Sequence, residues 1–171
     1  MKAISPVIAT VIIVSVAIAI SIAVALWLSG MVGGFTQTEN LQILTGYAEP
    51  VEIYANTSLP QPLNITINNQ NKTLSGYTVL ANYTGSGWTI TIQVKNTGTV
   101  SATIDNIFVN GIPISNEQGV IAYMIDDKTI TPGETTTIHI LLGSPFTHGQ
   151  MVNIKIHTAS GRDYPKTITL P

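Results

Sequence analysis

The sequence predicts an α+β protein in which a long N-terminal hydrophobic helix is followed by an antiparallel, immunoglobulin-like β-sandwich. Apart from Lys2, the 7 Lys and Arg residues and the 9 Asp and Glu residues all lie within residues 39–171. Pro6–Leu28 is apolar except for three hydroxyl residues. Farther along, apolar and polar residues alternate in many short stretches, which is the pattern of half-buried strands. The predicted domains are therefore a helical segment, residues 1–34, and a sandwich, residues 35–171.

The composition excludes several classes of protein. Charged residues make up 9% of the 171 residues and the net charge is −2, so the clusters of Lys and Arg that a general nucleic-acid binder needs are missing. A hydrophobic content of 44% is too high for charge-driven disorder. Because the chain has no cysteine, disulfides, cysteine-ligated zinc sites and thiol nucleophiles are excluded.

The apolar stretch Pro6–Leu28 is long enough to cross a membrane as a helix. Its 23 residues would extend about 35 Å, against roughly 30 Å for the hydrocarbon core of a bilayer. In lipid the backbone must satisfy its own hydrogen bonds, which favours a helix even in a sequence rich in Ile and Val. Pro6 suits the first turn. Gly30, Gly33 and Gly34 are predicted to stop the helix or to form a hinge after it.

Small residues recur at every fourth position of this predicted helix. Ser15, Ala19 and Ala23 form one row, and such rows allow helix backbones to approach closely. A second row consists of Ala17, Ser21, Ala25 and Ser29. Trp27 suits a membrane–water interface. Two other interpretations are a single-pass anchor with incidental alanines and a cleaved signal peptide, although the apolar run exceeds the roughly 7–15 residues of such signals.

The opening residues Lys2–Ile12, which read KAISPVIATVI, closely resemble the N-terminus of archaeal type IV pilins. In that family a prepilin peptidase cuts after a short basic leader that ends in a small residue. The resemblance implies that Lys2 is the basic residue of the leader, Ala3 the residue before the cut and Ile4 the new N-terminus. It also implies a β-sandwich head that follows the helix.

The resemblance further implies how such a chain is used. The helix is first inserted in the cytoplasmic membrane and is then packed by a pilus assembly machinery into the core of a helical filament of identical subunits. The residues expected to pack in that core are Ile4, Ser5, Pro6, Ile8, Ile12, Ser15, Ala19, Ala23 and Trp27. Bacterial type IV pilins carry a glutamate where this chain has Ile8, so their buried charge pairing is not expected. The product would be an extracellular pilus at the cell surface, for adhesion.

The second domain shows the period of two that half-buried strands require. It is clearest in Trp88–Lys95, Thr137–Leu142 and Val152–His157. Further strands are predicted at 41–47, 51–55, 63–68, 77–82, 102–109, 120–125 and 163–170. Asn110-Gly111 predicts a two-residue hairpin turn, and turns are also predicted at 96–98 and 131–134. Many short strands with regular turns predict a β-sandwich.

Four N-x-Ser/Thr sequons cluster in residues 56–84, which favours glycan attachment in an exported domain. The acceptor residues are Asn56, Asn64, Asn71 and Asn82. The alternative is that they are ordinary polar residues of loops and strands. N-linked glycans would coat a filament, improve its solvation and hinder proteases.

No motif predicts catalysis or a cofactor. The three histidines, His139, His148 and His157, lack the spacing of a metal pair, and Asp126-Asp127 lacks the spacing of a calcium loop. Gly85-Ser86-Gly87 does not open a helix after a strand, so it is not a phosphate-binding loop. We therefore expect no metal, no cofactor and no enzymatic activity.

Two other functions stay open on the sequence alone. One is an archaellin, the subunit of a rotating motility filament with the same two-part plan, whose usual N-terminal pattern differs from Ser5-Pro6-Val7-Ile8. The other is a membrane-anchored module whose sandwich binds a sugar or a surface-layer protein. The few carboxylates also suggest that a filament of this chain tolerates strongly acidic surroundings, since few native interactions are lost on protonation.

Overall fold

The computed structural model describes residues 5–35, 37–55, 63–67, 70–115 and 118–171. The chain divides into two compact units, one ending at Thr38 and the other beginning at Glu39. In the described ranges the first unit contains a helix, α1 (Pro6–Phe35), and the second contains twelve strands. These are β1 (Leu41–Ala55), β2 (Leu63–Ile67), β3 (Gln70–Leu74), β4 (Thr78–Val79), β5 (Tyr83–Asn96), β6 (Ala102–Val109), β7 (Ile112–Pro113), β8 (Val120–Ile125), β9 (Thr129–Ile130), β10 (Thr135–Leu142), β11 (Met151–Thr158) and β12 (Asp163–Thr169).

Helix α1 begins where the sequence predicts and ends later. The carbonyl oxygen of Ser5 accepts hydrogen bonds from the backbone N–H groups of Ile8 (3.0 Å) and Ala9 (3.2 Å), while Pro6, which has no N–H to satisfy, occupies the first position. The prediction that the glycines from Gly30 onward stop the helix is wrong, because α1 continues through them to Phe35. Each glycine is only about 1 kcal/mol less favourable than alanine in a helix, which is too little to end a long helix.

The strands form two antiparallel sheets. Sheet I has the order β3-β2-β1-β5-β10-β8-β4, and sheet II has the order β12-β11-β6-β7, with β9 also pairing with β6. The core between them contains residues of both sheets. This arrangement confirms the predicted α+β class and the antiparallel, immunoglobulin-like sandwich.

The main core follows directly from the alternation in the sequence. Ile90, Ile92 and Val94 of β5 are fully buried and alternate with polar neighbours. The other fully buried aliphatic residues of this core include Val109, Ile130, Ile138, Ile140, Leu142, Val152, Ile154, Ile156 and Leu170. At about 25 cal/mol per Å² of apolar surface removed from water, burial of this set is the main force that holds the two sheets together.

A second apolar cluster lies on the other face of sheet I. Leu141, which alternates with the main-core residues of β10, is fully buried there, together with Ile53 of β1. The segment Tyr77–Tyr83 packs over this cluster through its apolar side chains. Gly87 of β5 allows Ile53 and the backbone of Leu142 to pack closely against it. A Cβ atom at this position would lie 2.7 Å from Ile53 Cδ1 and would collide with the Leu142 carbonyl oxygen. Sheet I is therefore covered on both faces over part of its length.

Several strand boundaries differ from the predictions. Residues 41–47 and 51–55 were predicted as two strands but form the single strand β1, which continues through Pro50. Within the described residues β2 pairs with β1 at Glu52–Tyr54, so Pro50, which lacks an N–H, falls outside the described part of that ladder. Of the predicted strand 77–82, only Thr78–Val79 is a strand.

Strands β3, β7 and β9 were not predicted, because each is short and lacks a clear apolar alternation. The hairpin turn at Asn110-Gly111 is confirmed. Both residues have positive φ angles, 51° and 87°, as a type I′ turn requires. Asn110 also accepts a hydrogen bond from the backbone N–H of Asn153 through its side-chain oxygen (3.0 Å), which fixes the turn to the neighbouring strand β11.

Candidate functional site

Most of the large apolar side chains that are exposed in the described residues lie on helix α1. Its aliphatic side chains are exposed on every side, among them Ile8 (55%), Ile12 (54%) and Ile18 (55%), and Trp27 is 64% exposed. The segment Pro6–Val32 is long and apolar enough to cross a membrane, with a mean hydropathy of 2.9. By length and composition it is the one such helix in the described residues.

The hydroxyl groups of α1 are satisfied inside the helix. Thr10 Oγ1 donates to the carbonyl oxygen of Val7 (2.9 Å), and Ser15 Oγ donates to that of Val11 (2.7 Å). Ser21 Oγ donates to the carbonyl oxygen of Ala17 (2.7 Å). Because each donor bonds to the preceding turn, these residues can enter an apolar environment without a polar partner.

The small residues of α1 form two opposite rows, of which the row Ser15, Ala19 and Ala23 is the one predicted to pack in a filament. The spacing of four places Ser15, Ala19 and Ala23 on one side. Ala17 is rotated from Ala19 by about 200° at 100° per residue, so its row lies on the other side. The two rows leave shallow surfaces on two sides of one helix. A helix that packs among several neighbours can use both.

The remaining predicted residues of this segment fall in two places. Lys2, Ala3 and Ile4, the predicted processing site, lie outside the described residues. Gly30, Gly33 and Gly34, the glycines of the predicted hinge, lie within the last turns of α1. A hinge there stays a prediction.

The sequons fall near the β2–β3 hairpin of sheet I. Asn64 is paired in register with Tyr54 of β1, and Asn71 is paired with Thr66. Asn82 is exposed just before β5, and Asn56 lies outside the described residues.

The three histidines lie on three different elements. His148 is exposed in the loop between β10 and β11. His139 on β10 contacts Thr91, with 3.2 Å between Nδ1 and Oγ1, and its ring lies 6.2 Å from that of Tyr77. His157 lies on β11. Across the part of the chain that the structure describes, no group of three His, Cys, Asp or Glu residues has the geometry of a metal site.

Tyr77 and His157 have environments that the sequence did not reveal. Burial in the second apolar cluster raises the pKa of Tyr77 to about 12, and the charge of Asp126 adds to the effect. His157 lies between two carboxylates, with Nδ1 2.7 Å from Asp163 Oδ1 and Nε2 4.0 Å from Asp105 Oδ2. Both environments depend on pairings between distant strands, so no local motif could have indicated them.

The C-terminus is fixed to the sandwich. Trp88 Nε1 donates a hydrogen bond to the carbonyl oxygen of Pro171 (3.0 Å), and the preceding Leu170 is fully buried. The last strand is therefore held at its end as well as along its ladder.

No protein-family profile and no curated protein sequence matches this chain. Among solved structures, the archaellum periplasmic stator protein FlaG from Sulfolobus acidocaldarius is similar, with 16% identity, coverage of 76% of this chain and 99% of that chain, and a TM-score of 0.41. A chain of the FlaF–FlaG stator complex from the same organism has 21% identity, covers 66% of this chain and 98% of its own length, and has a TM-score of 0.38. Likenesses this distant assign no partner or activity to this chain.

Proposed function

We propose that this chain is the structural subunit of an archaeal extracellular type IV pilus, which polymerises through α1 and functions in surface adhesion. The observation that carries the proposal is the exposed apolar surface of α1, which covers every side of a 30-residue helix. The role is structural rather than catalytic.

An exposed apolar helix of this size needs a covering. Each Å² of apolar surface left in water costs about 25 cal/mol, so α1 must lie in lipid or against other helices. Its length of about 45 Å exceeds the roughly 30 Å of a hydrocarbon core. The resemblance of Lys2–Ile12 to archaeal pilins favours transfer from the membrane into a bundle of identical helices.

The proposed packing uses the two rows of small residues. Without a charge in α1, neighbouring helices associate through close van der Waals contact, which small side chains permit. The internally bonded hydroxyls of Ser15 and Ser21 leave no unsatisfied donor in such a core. The predicted cut between Ala3 and Ile4 would precede assembly.

The sandwich would form the outer wall of the filament. Among its described strand positions that are exposed, Thr is more frequent than charged residues. Glycans at Asn64, Asn71 and Asn82 would add solvation on this surface. Mass spectrometry of the purified filament tests this part, since bare peptides across residues 56–84 would remove glycans from the proposal.

The decisive experiment is electron microscopy of material sheared from cells, with mass spectrometry to identify the subunit and its first residue. We expect filaments that contain the whole chain from Ile4 to Pro171. Ala19→Leu adds volume to one small-residue row, and it should reduce filament yield while membrane insertion is retained. The matched control is Ile20→Leu, which introduces the same side chain without added volume and should assemble.

Two outcomes would replace the proposal. If the chain stays in the membrane fraction as single copies and no sheared filament contains it, it is a membrane-anchored module with an exposed sandwich. If its deletion abolishes swimming but leaves attachment to surfaces unchanged, the filament is a motility filament rather than an adhesive pilus.

A further inference from the structure

His157 is the centre of a network of four side chains on the outer face of sheet II. Its Nδ1 lies 2.7 Å from Asp163 Oδ1 and its Nε2 lies 4.0 Å from Asp105 Oδ2. Lys155 Nζ donates to the other oxygen of Asp163 (3.0 Å). These four residues, Asp105, Lys155, His157 and Asp163, are called the β11 network below.

The network joins three neighbouring strands. Asp163 of β12 is the direct register partner of His157. On the other side, β6 carries a bulge, since His157 pairs with Asn106 but the next residue, Thr158, pairs with Ile104. Asp105 is therefore the extra residue of the bulge. A bulge changes the direction of a side chain, and here the result is a second carboxylate beside the imidazole.

An aromatic ring supports the two basic members. Lys155 Nζ lies 4.5 Å from the centroid of the Phe108 ring, and the His157 ring meets the same Phe108 ring edge-on, with centroids 6.2 Å apart. The side chains of the network are between 31% and 47% exposed. The imidazole can therefore exchange protons with solvent while it remains held in place.

The other charges near this face have partners or positions elsewhere. Arg162 Nη1 donates to the backbone oxygen of Glu39 (2.6 Å). Lys128 is exposed, and among the described residues no ion pair joins its Nζ to a carboxylate of this face. Lys166 of β12 lies on the opposite side of its strand, against Gly46 of β1. In the described residues, the network thus contains two carboxylates, one permanent cation and one histidine.

We propose that the β11 network is a proton-dependent lock on the edge strand β12, which tightens when the surroundings become mildly acidic. With neutral His157, Asp163 has Lys155 as its cation, and the described residues contain no ion pair between Asp105 and a Lys or Arg side chain. When His157 takes up a proton, two cations face two carboxylates across three strands. The imidazolium then joins β11 to Asp163 of β12 on one side and to Asp105 of β6 on the other.

The sign of the pH dependence follows from the two kinds of group. Hydrogen bonds from His157, and then from Lys155, hold the pKa of the Asp163 carboxyl below its ordinary range. The stabilisation from Asp163 is therefore present above the ordinary pKa of about 3.9 and is lost as the pH falls through the lowered value. Protonation of His157 adds the second cation, so the proposed lock is tightest where His157 is protonated and Asp163 is ionised.

The test is a double-mutant cycle in the full chain in detergent micelles, with His157→Gln and Asp105→Asn, measured by urea unfolding at pH 5 and pH 8. We expect the two substitutions to be coupled about threefold in the unfolding equilibrium constant at pH 5 and uncoupled at pH 8. His157→Lys supplies a permanent cation and should retain the coupling at both pH values. His148→Gln, in an exposed loop, is the control, and its stability should depend on pH as that of the native chain does.

Hydrogen exchange provides a second readout at the strand itself. Amides of Asp163–Thr169, corrected for intrinsic rates, should be more protected at pH 5 than at pH 8 in the native chain, and equally protected in His157→Gln. Coupling of equal size at both pH values would show that His157 acts only through neutral hydrogen bonds and would overturn the proposal. Greater coupling at pH 8 would also overturn it.

Discussion

Helix α1 and the β-sandwich are built from the same aliphatic residues, but only the sandwich buries them. Ile140 of β10 is fully buried, whereas Ile18 of α1 is 55% exposed. In the sandwich, alternation with polar residues gives each strand one apolar face, and a second sheet covers that face. In α1 the apolar residues surround the whole helix, so a neighbouring surface on one side cannot cover all of them.

The difference teaches where each unit obtains its stability. The sandwich completes its core within one chain, and its surface can remain in water. Helix α1 leaves its apolar side chains exposed, and in the proposed function lipid or other copies of the chain cover them. A protein with both units can remain folded as a head while its helix changes environment from membrane to filament, which is the property that the proposed function needs.

Paired isoleucine substitutions test this comparison with the largest expected effect. Ile140→Ala leaves a cavity between the sheets and should lower the free energy of unfolding of the sandwich by about 3 kcal/mol. Ile18→Ala should leave that value unchanged. Urea unfolding in detergent, followed by near-ultraviolet circular dichroism, measures both variants. Equal losses would mean that the helix and the sandwich unfold as one cooperative unit.

A pair of glycine substitutions sharpens the comparison. Gly87→Ala would place a Cβ atom 2.3 Å from the Leu142 carbonyl oxygen, so strain should cost the sandwich about 2 kcal/mol. Gly30 has nothing within 4 Å of a Cβ atom. Gly30→Ala should favour the helix by about 1 kcal/mol. Thermal unfolding measures the first effect and helix content in detergent the second. A neutral Gly87→Ala would contradict the described packing.

An alkaline titration tests the second apolar cluster. The pKa of Tyr77 is raised to about 12, so the stabilisation that depends on its neutral form is complete below the ordinary tyrosine value of about 10 and is lost as the pH rises toward 12. The native sandwich should lose stability over this range. Tyr77→Phe should lose less than the native chain there, while Tyr47→Phe, at a residue that is 48% exposed, should behave as the native chain does.

An acid titration should give the smallest effect. Hydrogen bonds from the Thr131 side chain and then from its backbone lower the pKa of the Glu134 carboxyl, and the pKa of Asp163 is lowered as described above. A carboxyl whose pKa is lowered in the folded state stabilises the fold at pH values above its ordinary pKa. That stabilisation is lost as the pH falls through the lowered pKa. Because so few carboxylates are involved, we expect only a small fall in melting temperature from pH 5 to pH 3. Filaments that disassemble between neutral pH and about pH 2–3 would contradict this expectation.

The sequence predicted the elements whose signal is local. The uncharged run before residue 39 and Pro6 predicted the helix and its start. The alternation in Trp88–Lys95 predicted the long strand β5 and its buried face, and Asn110-Gly111 predicted the turn between β6 and β7. The predicted end of α1 was wrong, because three glycines are weak stop signals inside a long apolar helix.

The candidate site divides in the same way. The apolar surface of α1 is visible in the sequence, because a helix fixes the relative positions of nearby residues. The β11 network is not, since Asp105 and His157 are far apart in the chain and meet only through a bulge and a strand pairing. The second apolar cluster is equally hidden, because Ile53 and Leu141 belong to strands separated by β5.

By itself the sequence determined that an uncharged apolar helix precedes an antiparallel sandwich, because charge distribution and apolar period are local properties of a chain. Only the tertiary structure decided the strand order, the covering of both faces of sheet I and the partners of His157. These depend on which distant segments pair and in which register, and a shift of one residue in register would turn each side chain to the other face.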